Sequence, residues 1–274
     1  MRLTGKQSLR PDLPLHGRTA VVTGGSRGVG KGIALELIAG GANVVVTGRS
    51  PDDLRYLDGR GTAILCDHRD DRQVEAAFQR VLDERGRIDV LVNNVWGGYE
   101  NMVEGNEFTW TKPFWQQPRW RWDSMFAAGV RAHYVASQLA APVMVARKQG
   151  LIVNLSFWAA RKHIGNVAYG VSKAATDKLT ADMAHELEPH RVAVLSLYPG
   201  LVRTEKVMQA AEWLDLSNSE SPEFIGRVVV ALAADRDVMR YSGNMVVAAA
   251  IAREYGITDV DGRRPEPLDL ASVS

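Results

Sequence analysis

The sequence predicts an α/β fold, a single doubly wound domain on a seven-stranded parallel sheet. Three observations point there. Short β-rich apolar runs alternate with stretches of helical period along the chain, the mark of repeated strand–helix–strand units. Seven such runs follow one another with no break point, repeat or low-complexity segment. A glycine-rich turn stands between the first run and the first helical stretch.

The elements follow in order. Arg18 to Val22 is the first strand, and Val29 to Ala39 a helix with apolar residues at 29, 33, 34, 37 and 38, closed by Gly40-Gly41. Asn43–Thr47 and Thr62–Cys66 are the second and third strands. Val74, Ala77, Phe78, Val81 and Leu82 mark one face of the next helix, and Ile88–Val92 is the fourth strand. One long helix is expected from about Trp122 to Arg147, then a strand at Leu151–Leu155, a helix at Tyr169–Leu187 and a strand at Val192–Tyr198. A last helix near Phe224–Ala233 precedes a final strand, Asn244–Val247. Residues 1–16 read as an N-terminal extension and 17–274 as the domain. Two stretches break the rhythm. Residues 96–121 have no clear period and are crowded with aromatic side chains, and 204–222 follow the sixth strand. A loop as long as 96–121 inside a domain is usually functional or disordered, and its aromatic content favours order.

Composition narrows the function. With 46% hydrophobic and 24% charged residues and a net charge of +1, the 274-residue chain shows no electrostatic footprint for nucleic acid or an anionic membrane. No window approaches the ~20 apolar residues of a membrane span. Cys66 is the one cysteine, which excludes an internal disulfide and a multi-cysteine metal site; beside Ala63-Ile64-Leu65 it reads as a core residue. No metal is expected. The first sixteen residues carry Arg2, Lys6, Arg10, Asp12 and two prolines, with no apolar block. They do not read as a signal peptide, and a cytoplasmic protein is expected.

The glycine turn is Thr23-Gly24-Gly25-Ser26-Arg27-Gly28-Val29-Gly30. Between a first strand and a first helix, such glycines let the backbone approach a pyrophosphate whose charge is met by free N–H groups and the helix dipole. A domain of this kind is Rossmann-like. Cofactor choice is read at the end of the second strand, Thr47-Gly48-Arg49, which has no carboxylate before Asp52. An acidic side chain there would suit the ribose diol of NAD; arginine suits the 2′-phosphate of NADP. Arg27 and Arg49 therefore favour NADP(H) through charge-assisted hydrogen bonds, the alternative being two solvated arginines. Further on, Tyr169 and Lys173 are four apart in a helical stretch and share a face. A phenol with a pKa near ~10 is a poor base, but an ammonium about 4 Å away, worth roughly 4 kcal/mol, would lower it by about two to three units.

These motifs resemble, in order, those of the short-chain dehydrogenases, in their single-domain branch. The turn matches the family's Thr-Gly-x-x-x-Gly-x-Gly. Asp67 follows the third strand, Asn93-Asn94 the fourth, Ser156 the fifth, Tyr169-x-x-x-Lys173 opens the next helix, and Pro199-Gly200 follows the sixth strand. The resemblance covers roughly residues 15–250, and within the family the chain looks most like the dehydrogenase/reductase member 1 group. It implies hydride transfer between NADP(H) and a carbonyl or alcohol, with Tyr169 as acid/base, Lys173 beside it, and Ser156 holding the substrate oxygen. It implies cofactor contacts at Gly24, Ser26, Arg27, Gly28, Val29, Gly30, Arg49, Asp67, Asn93, Tyr169, Lys173, Pro199, Gly200, Val202 and Thr204. It also implies a homodimer or homotetramer.

Two departures stand out. Phe157 follows Ser156 where the family often has a second serine, so the working register could fall on 157 instead. Gly129 stands where the family often has a relay asparagine, which leaves a second water or His133 to serve. The tryptophans of 96–121, with 204–222, suggest a bulky or apolar carbonyl substrate, or else core and subunit contacts. The rival readings are a non-catalytic NADP-binding sensor or scaffold, a partner-binding protein using the aromatic segment, and a nucleotide-sugar epimerase. The last is opposed by the glycine spacing and by the lack of a large C-terminal substrate domain.

Overall fold

The computed structural model describes residues 13–99, 102–105, 107–209 and 211–273. Seven strands form one fully parallel sheet: β1 (Thr19–Thr23), β2 (Asn43–Gly48), β3 (Thr62–Leu65), β4 (Val90–Asn93), then, numbering a short hairpin of β5 (Val103–Glu104) and β6 (Glu107–Phe108) between them, β7 (Gly150–Leu155), β8 (Val192–Tyr198) and β9 (Met245–Val247). The order is β3-β2-β1-β4-β7-β8-β9, so the winding direction reverses between β1 and β4. Ligands of such sheets bind outside the carboxyl ends of the strands at that reversal.

Helices cover both faces, as expected for double winding. On one side α1 (Gly28–Ala39), α7 (Pro222–Ala234) and α8 (Ala248–Glu254) bury Ile33, Leu37, Phe224, Val228 and Ile251 against Val22, Val44 and Leu195. On the other, α2 (Asp71–Arg85), α4 (Ala132–Arg147) and α5 (Val167–Leu187) bury Val74, Phe78, Ala136, Met144 and Ala184 against Val21, Leu91 and Ile152. Cys66 is buried in this second layer. Of the N-terminal extension, residues 1–12 lie outside the described residues; Leu15 is fully buried and its N–H donates to Gly40 O at 2.9 Å.

The structure corrects the reading in several places. The long helix expected at 122–147 is three pieces: α3 (Arg119–Met125), a wider π-helical turn (Phe126–Arg131), and α4. The widening falls where Trp96 and Gly97 press onto the helix: a Cβ on Gly97 would meet Ser124 Oγ at 2.6 Å, and one on Gly129 would meet the Trp96 ring at 2.8 Å. Wide turns of this kind often sit at functional sites. The segment 96–121, read as irregular, holds the β5–β6 hairpin and the start of α3. The segment 204–222 holds the short helix α6 (Glu205–Gln209). Helix α8 went unread because its alanine-rich seven residues carry no usable period. Helix α5 starts two residues before Tyr169, capped by the Asn166 side chain, which accepts from Tyr169 N–H at 3.0 Å.

Candidate active site

At the end of β1 the chain turns through Gly24 and Gly28, at φ +65° and +55°, values open to glycine at little cost. Gly25 N–H donates to Thr47 O at 3.1 Å, which ties the turn to β2. Asn94, just past β4, donates through Nδ2 to Gly24 O at 2.9 Å, and a Cβ on Gly30 would collide with that amide. A Cβ on Gly24 would in turn meet Val95 Cα at 2.9 Å. The turn and the β4 loop are thus packed backbone to backbone.

This cradle fits a dinucleotide. The Gly28 N–H at the start of α1 donates to an anionic oxygen, Glu205 Oε2, at 2.9 Å. Backbone donors at a helix N-terminus suit a pyrophosphate in the same way. Ser26 abuts Gly48 (3.2 Å from a Cβ placed there to Ser26 Cβ), so Arg27 and Arg49, the next residues of each segment, leave from adjoining points, and both are exposed. Asp52 is paired with Arg55 at 2.7 Å. Asp67 follows β3 as expected, but its carboxylate is gripped by Arg69, at 2.5 to 3.1 Å, which holds it below the ordinary carboxylate range. Thr204 lies against Gly28, its Cγ2 3.3 Å from a Cβ placed there. Gly200 N–H donates to Glu220 Oε2 at 2.7 Å and Val202 bridges to Glu220, so Pro199–Thr204 is pinned by a carboxyl whose pKa burial pushes up to about 7.

Asn93 behaves differently from the others. Its side chain is fully buried and donates to Ser137 Oγ (2.9 Å) and Asn154 Oδ1 (2.8 Å), tying β4 to α4 and β7.

Tyr169 and Lys173 share one face of α5, both buried. Lys173 Nζ donates to Leu155 O at 3.1 Å, at the end of β7, and lies 3.8 Å from the centre of the Trp96 ring. Ser156 sits on that strand end, buried, with its Oγ donating to Lys173 O at 3.4 Å. The Tyr169 ring is enclosed by Trp96 (5.7 Å between centres), Trp110 (5.5 Å), Tyr99 (6.0 Å) and Phe157 (6.4 Å), and its phenol hydrogen-bonds that of Tyr99. This enclosure overturns one expectation. Lys173 does not lower the phenol here; burial, followed by the charge and hydrogen bond of Tyr99, holds Tyr169 well above its ordinary value. Burial also pulls Lys173 down to about 7.

His133 lies behind this group. Its Nε2 meets Val95 O at 3.0 Å, the tautomer in which Nε2 carries the proton, and burial with the Lys173 charge pulls it down to about 3. It is a neutral brace for the backbone before Trp96. Among the described residues no cluster of His, Cys, Asp or Glu could hold a metal ion, and no helix is long and apolar enough to cross a membrane.

Sequence reasoning missed several contributors. Asn166 was readable as a helix cap three residues before Tyr169. Arg121 was not: it is fully buried between the Trp110 and Trp120 rings, donates to Thr109 and Gln117, and so fixes Trp110 against Tyr169. Glu205 was hidden beside the expected Thr204.

The short chain dehydrogenase family model matches residues 18–215. The chain is 42% identical over 271 residues to mouse dehydrogenase/reductase SDR family member 1, covering 91% of this chain and 85% of that protein. Among solved structures it resembles a metagenomic short-chain oxidoreductase in complex with NADP (TM-score 0.69, 31% identity, 85% and 97% of the two chains). It also resembles a 7α-hydroxysteroid dehydrogenase complexed with NADH and 7-oxo glycochenodeoxycholic acid (TM-score 0.73, 26% identity, 86% and 94%).

Proposed function

The chain belongs to the short-chain dehydrogenase family, and from that premise we propose that it is an NADP(H)-dependent oxidoreductase interconverting a bulky or apolar carbonyl compound and its alcohol. The observation that carries the reading is continuity: Gly24 abuts Val95, the next residue is Trp96, and Trp96 touches both Tyr169 and Lys173. A cofactor cradle and a proton-transfer pair therefore form one site at the sheet's reversal.

Arg27 and Arg49 favour the 2′-phosphate, and the NADP complex among the similar structures agrees, although another holds NADH. Gly24–Gly30, Asn94 and Thr204 would hold the dinucleotide, with Pro199–Val202 pinned alongside. The cofactor, when bound, supplies or takes the hydride. Tyr169 holds the proton at its phenolic oxygen, Lys173 supplies positive charge beside it, and Ser156 Oγ donates to the developing oxyanion. The aromatic enclosure keeps bulk water from the phenol. Residues 17–274 form the working domain in this reading, with 96–121 and 204–222 on the substrate side. The exposed apolar residues Trp122, Tyr134 and Val171 on α3, α4 and α5 support a homodimer or homotetramer. The reading places the protein in the cytoplasm.

A panel of aromatic, steroid and aliphatic ketones, with NADPH and NADH, tests the assignment through loss of reduced-nicotinamide absorbance. Turnover of at least one apolar ketone with NADPH is expected. Binding of NADPH without turnover of any panel member by the wild type would favour the sensor or scaffold.

A further inference from the structure

From the ring contacts of the β4 loop we infer that Trp96 is the residue that positions the Lys173 ammonium, resting the charge on its indole face, and that Gly129 is the partner that makes room for the ring. The inference rests on the oxidoreductase reading for its catalytic meaning but not for its test.

Trp96 touches three things at once. Lys173 Nζ stands 3.8 Å from its ring centre, close for a cation over an aromatic face. Its edge meets Tyr169 at 78° and 5.7 Å. Its six-membered ring covers Gly129, where a Cβ would fall 2.8 Å from Cζ3 and 3.0 Å from Cε3. No side chain fits at 129 while the indole stays where it is. The π-helical turn at 126–131 brings that glycine to the ring, and His133, one turn on, holds Val95 O and so the backbone that carries Trp96. The Trp96 Nε1–H is buried with no hydrogen-bond partner among the described residues. The indole is therefore held by packing and by the cation, not by its own polar atom.

The energetics agree with this role. Lys173 has one backbone acceptor, Leu155 O, and burial disfavours its charge. Among the described residues, Asp177, one turn along α5, favours the charge; His133 on α4 is neutral; Tyr99 and Tyr169 are neutral phenols; Tyr198 on β8 donates to Asp177. The electron-rich ring face adds to the Leu155 carbonyl in offsetting desolvation at the ammonium itself. Losing it while keeping an apolar filling makes Lys173 give up its proton at lower pH. The same loss loosens the ammonium from its place beside the phenol.

The experiment is a pH titration of Lys173 in the cofactor-free protein, read from the ε-carbon of ¹³C-labelled lysine and assigned by loss of the signal in Lys173→Arg. Trp96→Leu should lower the midpoint by about one unit, and Trp96→Phe by less, because a benzene face binds a cation more weakly than an indole. Gly129→Ala should shift the midpoint by displacing the ring. The double variant Trp96→Leu/Gly129→Ala should match Trp96→Leu alone, since the collision is gone. A midpoint unmoved or raised in Trp96→Leu, or Phe and Leu variants that coincide, overturns the inference. If Trp96→Leu fails to fold, Trp96→Phe and Gly129→Ala decide. With NADPH and acetophenone as probe, Trp96→Phe should lower kcat several-fold with KM unchanged. Wild-type protein inert toward every carbonyl would defeat the oxidoreductase reading and leave the titration standing.

Discussion

Around the glycine turn, position is set by backbone. Gly24 and Gly30 bring main chain against main chain, Gly28 lies against the Thr204 side chain, Asn94 clips the turn from the side, and the neighbouring strands fix its register. Around Tyr169 position is set by side chains drawn from distant stretches: Trp96 from the β4 loop, Trp110 from the insertion, Phe157 from the end of β7, Asn166 from the helix cap. Most of the first region comes from consecutive residues, 23–30, with Thr47, Asn94 and Val95 fixing it from outside. The second exists only after the sheet has assembled. A backbone-made site tolerates little change of shape and suits an invariant ligand part such as a pyrophosphate. A site made of rings can be reshaped one side chain at a time and suits the variable half of a reaction.

The comparison breaks first at Tyr169. If the ring-made region holds the proton-transfer group, Tyr169→Phe should cut turnover by about 10³-fold or more, within the range ascribed to a positioned acid or base. NADPH binding, which belongs to the backbone-made region, should be retained. Lys173→Ala should impair both, because Lys173 stands between the two, on the β7 end and against Trp96. Steady-state kinetics with fluorescence titration of NADPH would separate these effects. Substantial activity in Tyr169→Phe would remove Tyr169 from the mechanism.

Ser156→Ala comes next. If its hydroxyl donates to the developing oxyanion, turnover should fall by about 10²-fold. A fall below threefold with unchanged KM would mean that Ser156 serves the fold through Lys173 O, the hydrogen bond it makes at 3.4 Å. The structure already bears on the register. Phe157, the alternative position, packs its ring toward Tyr169 and offers no donor.

Arg49→Ala tests the other region. Removing one cation of the pair should weaken NADPH by roughly tenfold and leave NADH nearly unchanged, since a hydrogen bond to a charged group is worth about 1.5–3 kcal/mol. Dissociation constants for both dinucleotides give the ratio. A wild type that prefers NADH, or an unchanged ratio, would remove the 2′-phosphate role from these arginines.

The same division explains what could be read in the sequence. The strands, the glycine turn and the Tyr169–Lys173 spacing are local, so their periods and intervals carry them. The break of the expected 122–147 helix at Phe126–Arg131 was not legible, because the turn packs against Trp96, some thirty residues away. Nor was the upward shift of Tyr169: the helix spacing put Lys173 on its face, but rings from three segments strip the water that would have let the charge dominate. Gly129 read as a missing residue. In the fold it is the space an indole fills.

An effect on stability rather than on turnover contrasts the two regions in acid. Each hides one neutral histidine: His68 under the glycine turn, its Nε2 2.7 Å from Thr47 Oγ1, and His133 behind Trp96. Burial is the leading cause in both, pulling them from 6.5 to about 4 and about 3. A folded-state pKa below the unfolded one means stability that is present above pH 6.5 and lost as pH falls toward the folded value. At pH 5 each histidine should therefore cost about 2 kcal/mol, or roughly 4–8 °C of melting temperature. His68→Asn and His133→Asn should each remove that share of the acid-induced decline between pH 7.5 and 5. Below about pH 4 the two should diverge. His68 is by then protonated in the folded protein and its share has levelled off, while that of His133 continues to grow toward pH 3. Melting curves of wild type and both variants at half-unit steps would show it. Equal slopes in all three proteins from pH 6.5 downward would mean that neither imidazole is kept neutral by the fold.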